Sequence, residues 1–291
     1  MAKLMPRVTF RKKRSRHMSI YDKIFKPHVY TLPNGKFVEK KASRGPVYAI
    51  IILAMCVLSV KITGFNMTVL AQRMGEFFVI LGDMFRSPRL EFMDYVWGPI
   101  FDTIKMSLLG SLVGSLLSVP FAMLASTNVC PNKVVVSIVR LFFSIVRTIP
   151  TIVTALVATL IVGFGTLAGT ISIAVFSFAY IGKLTYEEIE TVDMGSFEAM
   201  EAMGSTRSMA FITAIIPQVL PFFLSNCLFN FEGNVRYAAV LGYVGAGGIG
   251  IILNERISWR DYPSVGMILI ALFVTVFIIE SISRYFRKKL V

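Results

Sequence analysis

Histidine is almost missing from this chain: only His17 and His28 occur, both near the N-terminus. That leaves no material for a histidine metal centre. Cysteine is nearly as sparse, and Cys56, Cys130 and Cys227 lie far apart, with neither a pair nor a metal-ligand spacing. A phosphate-cradling loop is missing too: Gly182-Lys183 is followed by Leu184, and position 177 is Ser177. The Walker A pattern needs glycine five residues before its Gly-Lys and a hydroxyl residue after it. The chain is therefore not expected to hydrolyse ATP. Clusters of His, Asp or Cys that would suit an enzyme are absent, so a non-enzyme is expected. Charged residues make up only 16% of the chain, against about 25% in soluble domains.

What fills the space is apolar. Hydrophobic residues reach 55%, and mean hydropathy is +0.69. They fall in continuous runs, and a helix needs roughly 20 such residues to cross the hydrocarbon of a bilayer. Continuous rather than alternating runs favour helices over a barrel. The fold class is thus an all-α integral membrane protein with about six spans. The spans are read near Pro46–Phe65, Asp102–Leu124, Ser144–Val162, Thr166–Gly182, Pro217–Val244 and Pro263–Ser281. Pro120 is expected to kink the second. Lys133, Arg140 and Arg147 are expected to mark the cytoplasmic end of one long helix that runs into the third span, with Pro150 near membrane entry. The segment Thr63–Val96 reads as an external loop. Residues 183–216 read as a cytoplasmic loop whose many acids call for an explanation, and a docking role would supply one.

The net charge of +13 is uneven: residues 1–45 hold 13 Lys and Arg against Asp22 and Glu39. A basic segment before an apolar span keeps that end in the cytoplasm and suits anionic headgroups of the lipid bilayer. No nucleic-acid recognition motif accompanies it, so no nucleic-acid partner is expected. The segment is too long, and lacks a small-x-small site after the first span, for a cleaved signal peptide. Six spans place both termini in the cytoplasm, in agreement with Arg284, Arg287, Lys288 and Lys289 near the end. The domain reading is a basic segment 1–45, a first span with its external loop over 46–97, and a core over 98–291.

The acidic loop carries Glu198, Ala199 and Met200, then Gly204, then Pro217. Small residues and a glycine allow a tight turn or a close approach, and the proline is expected to stop the loop helix and start the next span. This run resembles the signature of permease subunits of bacterial ATP-binding-cassette importers: Glu-Ala-Ala, glycine four residues on, proline thirteen further. Met200 departs from the third position. Arg147-Thr148-Ile149-Pro150 resembles a motif of the methionine and phosphonate permeases. Phe231-Glu232-Gly233-Asn234-Val235-Arg236 and the glycine-rich run Leu241–Gly250 resemble the phosphonate branch. The resemblance covers about residues 98–290.

Gly245, Gly247 and Gly250 also satisfy G-x-G-x-x-G. A dinucleotide site would need a strand before and a helix after. Here a span precedes and a short polar loop, Asn254–Asp261, is expected to follow, so close packing or a hinge fits Gly245, Gly247 and Gly248 better. Gly163 and Gly165 suit the same role. Glu232 and Arg236 stand four apart with the acid first, the favourable helical order. Counted from Pro217 they fall in the outer half of the fifth span, and Asn226 and Asn230 share the stretch. The pair is either a structural neutralisation or part of an anion path. Arg147, Pro150, Asn230, Glu232, Arg236 and the three glycines are thus candidates for the pathway or gate.

The resemblance implies the permease of an ATP-driven importer for phosphonate or a related small oxyanion, in a bacterial inner membrane. It implies a second permease copy, two cytoplasmic ATPases and an external substrate-binding protein. It implies no cofactor in this chain, because the ATPases bind ATP and magnesium. Residues 183–216 would form the coupling loop. The alternatives are another cargo (methionine, phosphite or phosphate) or an ion-coupled secondary transporter. The last would need related halves with broken helices at midplane, and no internal repeat is seen.

Overall fold

The computed structural model describes residues 28–31, 35, 37–40 and 45–290. Most of the basic segment 1–45 lies outside the described residues. Within it stands an antiparallel pair, β1 (His28–Thr31) and β2 (Phe37–Lys40), with Val29 opposite Glu39. The all-α expectation holds for the rest. The chain divides into two compact units, residues 1–74 and 75–291. The first holds the hairpin and α1 (Gly45–Ile62), an apolar helix with no buried residue.

The expected loop Thr63–Val96 is instead mostly helix. Asn66 accepts the backbone N–H of Thr68 at 2.9 Å, and α2 runs over Met67–Arg86. Leu70, Met74, Phe77, Phe78, Leu81 and Phe85 recur at helical spacing, with Arg73, Glu76 and Asp83 between them. That period makes an amphipathic helix, which a count of charges does not reveal.

The core begins at α3 (Met93–Ala125), which starts before Asp102 and continues through both Pro99 and Pro120 without a break. The long third helix is corrected. It is two helices, α4 (Lys133–Thr148) and α5 (Thr151–Val162), bent by 86°. The cause is local: proline disfavours the helical region for the residue before it, and Ile149 sits at φ −78°, ψ 119°. At 1.5 Å per residue α5 is only about 18 Å long, short of a full crossing. α6 (Thr166–Thr191) extends well past Gly182. Much of the expected loop 183–216 is therefore helical.

Next come α7 (Gly195–Ala202) and α8 (Arg207–Ala210), then a π-turn at Phe211–Ile215 that leads directly into α9 (Ile216–Leu241). Pro217 thus lies within a continuous helical track, Arg207–Val244, and does not terminate one. A 3-10 turn at Gly242–Val244 precedes α10 (Ile249–Ser258), which replaces the expected polar loop, and α11 (Tyr262–Leu290) closes the chain. Among the described residues, five helices are long and apolar enough to cross a membrane, six if the bent pair counts as one.

The helices meet on small residues. Gly110 and Gly114 face α6, and a methyl on Gly110 would lie 2.8 Å from the carbonyl oxygen of Thr170. Gly114 is equally closed by Ala174 and Ser177, and Gly182 by the Phe143 ring. Small residues four apart let backbones touch where the hydrophobic effect gives no driving force. At the other end of α3, Val96 and Ile100 pack with Ala239, Ile249, Val265 and Ile268.

Candidate functional site

The segment joining α6 to α9 stands on an apolar base. Phe197 of α7 is buried with Ile189, Ala210, Phe211 and Ile215, and Met200 packs against them. The same helix leaves Glu198 and Ala199 exposed. It ends as a helix with a left-handed cap does: Ser205 N–H donates to the Met200 carbonyl at 3.1 Å and Gly204 N–H to that of Glu201 at 2.9 Å. Gly204 has φ +88°, and a methyl there would meet nothing within 4 Å. Its glycine serves handedness and not close approach.

The acidity of this region is largely spent internally. Glu190 accepts the Thr127 backbone N–H at 2.8 Å and also binds the Thr127 hydroxyl and Arg140. Arg140 donates to the Ala125 carbonyl at 2.8 Å and lies over the Tyr186 ring. Lys183 pairs with Glu187, Arg207 with Glu201, and Asp193 accepts the Gly195 N–H. Glu198, by contrast, has no ion-pair partner among the described residues. Docking is thus not needed to account for most of these acids.

On α9 the expected pair forms: Arg236 contacts Glu232. The structure adds a third member. Arg287 of α11 donates to Glu232 Oε2 at 3.2 Å and lies over the Phe229 ring at 5.4 Å. The carboxylate is nearly enclosed, its side chain 4% exposed, while that of Arg236 is 54% exposed. Arg287 is therefore not a free tail cation. Arg287 stands near the end of α11, so Glu232 is tied to the last turns of that helix.

Asn230 is separate from this charge cluster. Its amide donates to Ser177 Oγ at 2.8 Å, and Asn234 donates to Ser111 and Ser177 at 2.8 and 2.9 Å. These buried bonds tie α3, α6 and α9 together. Buried polar groups fully paired in this way fix one arrangement. Asn234 lay in the recognised run Phe231–Arg236, but nothing local announced Ser111 or Ser177 as its partners.

The glycine run is packing. Gly245, Gly247 and Gly248 all have positive φ, and a methyl on Gly247 would lie 2.6 Å from Thr166 N. Gly165 N–H donates to the Gly245 carbonyl at 3.0 Å, so the two glycine turns lock together. Thr103 Oγ1 accepts the Ile249 N–H at 2.8 Å, which satisfies a free donor at the start of α10. Arg147 and Pro150 are exposed on the bend between α4 and α5. The structure does not bring them into the hydrogen bonds of Glu232 or Asn230. Among the described residues no group of His, Cys, Asp or Glu is arranged to hold a metal ion.

Residues 118–291 match the family described as binding-protein-dependent transport system inner membrane component. The chain is similar to a phosphate-import permease protein of Mycolicibacterium smegmatis, 33% identical over 189 residues, covering 65% of this chain and 36% of that protein. The chain thus spans little more than a third of that relative. A phosphite transport system permease protein of Stutzerimonas stutzeri is 32% identical over 190 residues, 65% of this chain and 69% of its own length. The fold is similar to that of an inward-facing methionine ABC transporter, with a TM-score of 0.61 at 22% identity over 70% of this chain and 99% of the other. With its five or six apolar crossings and its match over residues 118–291, the chain belongs to the inner-membrane components of binding-protein-dependent transport systems.

Proposed function

We propose that this chain is the permease of an ATP-driven importer for phosphonate or a related small oxyanion such as phosphite or phosphate. The relatives named for phosphate and phosphite import support that cargo class. The net positive cluster at Glu232, Arg236 and Arg287 suits it as well. In this reading ATP and magnesium belong to two cytoplasmic ATPase subunits, an external binding protein selects the cargo, and a second copy of this chain completes the pathway. Both termini face the cytoplasm. Methionine remains the second cargo, the one for which more distant sequence relatives are named.

The observation that carries the reading is the geometry of α7. A short helix is seated by Phe197 and Met200 on the ends of α6 and α9, and it presents Glu198 and Ala199 outward. A push on its exposed face is therefore delivered to two spanning helices at once. Cross-linking a cysteine at Glu198 to the ATPase, with and without Gly204→Glu, tests this. Gly204→Glu is expected to abolish the cross-link and uptake while the chain still inserts. Unchanged cross-linking and uptake would refute α7 as the coupling element. Purified chain without the ATPase is expected to show no ATP turnover.

A further inference from the structure

Glu232 has one more cation than it needs. An i,i+4 glutamate–arginine pair on α9 would already be neutral. Arg287, arriving from α11, brings the cluster to a net charge of +1 around a buried carboxylate. The Nε of Arg287 is buried with no hydrogen-bond partner. Uncompensated charge within a spanning segment is costly and does not face lipid. The half-exposed Arg236 therefore faces a water-filled path or a partner surface.

The face that carries it has room. Phe229, Gly233, Arg236, Tyr237 and Val240 recur at helical spacing, and all are exposed except the partly buried Gly233. A glycine inside a helix costs about 1 kcal/mol relative to alanine, yet Gly233 satisfies no packing demand among the described residues. A methyl there would meet nothing within 4 Å, and its φ is not positive. The open position thus lies between Phe229, over which Arg287 sits, and Arg236 one turn further along.

We propose that Arg236 and Arg287 form an oxyanion subsite over Gly233, with Glu232 as its built-in competitor. This inference rests on the oxyanion cargo proposed above and deepens it. A phosphonate or phosphite group offers several acceptor oxygens, and guanidinium forks match that geometry. As the anion takes an arginine, Glu232 keeps the other and reclaims both when the anion leaves. The carboxylate thereby keeps a strong site from becoming a trap.

The test uses the full chain in lipid nanodiscs, with methylphosphonate titrated against chloride at constant ionic strength and binding read by calorimetry. Glu232→Gln removes the competitor and is expected to tighten methylphosphonate by about tenfold, the size of one charge-assisted bond. Arg287→Gln is expected to weaken it by about tenfold or more, with Arg287→Lys restoring only part, because lysine lacks the fork. Gly233→Leu leaves every charge in place and is expected to weaken binding through lost space. Wild-type binding indistinguishable from chloride, or equal affinity in all four variants, would overturn the subsite. Cellular uptake separates the two ideas. Phosphonate uptake that survives Arg287→Gln unchanged overturns the subsite and leaves the transport reading intact. Methylphosphonate binding in a chain whose cells import no phosphonate or phosphite overturns the cargo reading and leaves the subsite standing.

Discussion

The seam between α3 and α6 and the foot formed by α7 use glycine for opposite ends. At the seam, Gly110 and Gly114 are small because another backbone lies against them. At the foot, Gly204 is surrounded by open space and is small because only glycine adopts φ +88° without cost. The seam is therefore intolerant of volume, and the foot is intolerant only of a change in chain direction. A transporter built this way separates a rigid crossing region from an exposed segment whose outward surface is free to meet a partner.

The sharpest way to break the comparison is volume at the seam. Gly114→Leu forces α3 and α6 apart and is expected to cost about 3 kcal/mol or more. The loss of a monodisperse peak and a lowered Tm in detergent would show it. Glu232→Gln comes next. It leaves two guanidiniums unpaired but buries neither fully, so about 1–3 kcal/mol is expected, below the cost in a closed interior. Its Tm should recover when Arg236→Gln and Arg287→Gln are added, and the double variant lacking only the first pair should not recover fully.

Strain at the foot should be milder. Gly204→Ala meets no neighbour, so only the left-handed backbone is penalised, by about 1–2 kcal/mol. Protease sensitivity near Ser205 is expected to rise while the core Tm holds. If Gly204→Ala lowered the core Tm as much as Gly114→Leu, the two regions would not be separable. The smallest effect belongs to Glu187→Gln, which removes a half-exposed i,i+4 pair with Lys183. Less than about 0.5 kcal/mol is expected, at the limit of a denaturation measurement.

Local signals were legible in the sequence, and partnerships were not. The apolar runs placed every expected crossing but the third, and the run from Glu198 to Pro217 located the foot. Glu232 and Arg236 were readable as a pair because four residues along a helix is a contact distance. Arg287 was invisible as their partner because it is 55 residues away from Glu232 and resembled the tail cations beside it. Residues 67–86 passed for a loop because their charges balance. The bend at Pro150 was in principle readable from the rule for residues before proline, but continuous apolarity from Lys133 argued for one helix.

The helical track from Arg207 to Val244 has 38 residues and is about 57 Å long, nearly twice the hydrocarbon thickness. It is pinned part way along, where Asn234 grips Ser111 and Ser177. From that pin the track extends about 40 Å toward Arg207 and about 15 Å toward Val244. Were it to swing there as one rigid body, a displacement imposed at the foot would reach the glycine turn reduced between two- and threefold. Stroke would then be traded for leverage, a large swing at one end for a short, strong movement at the other.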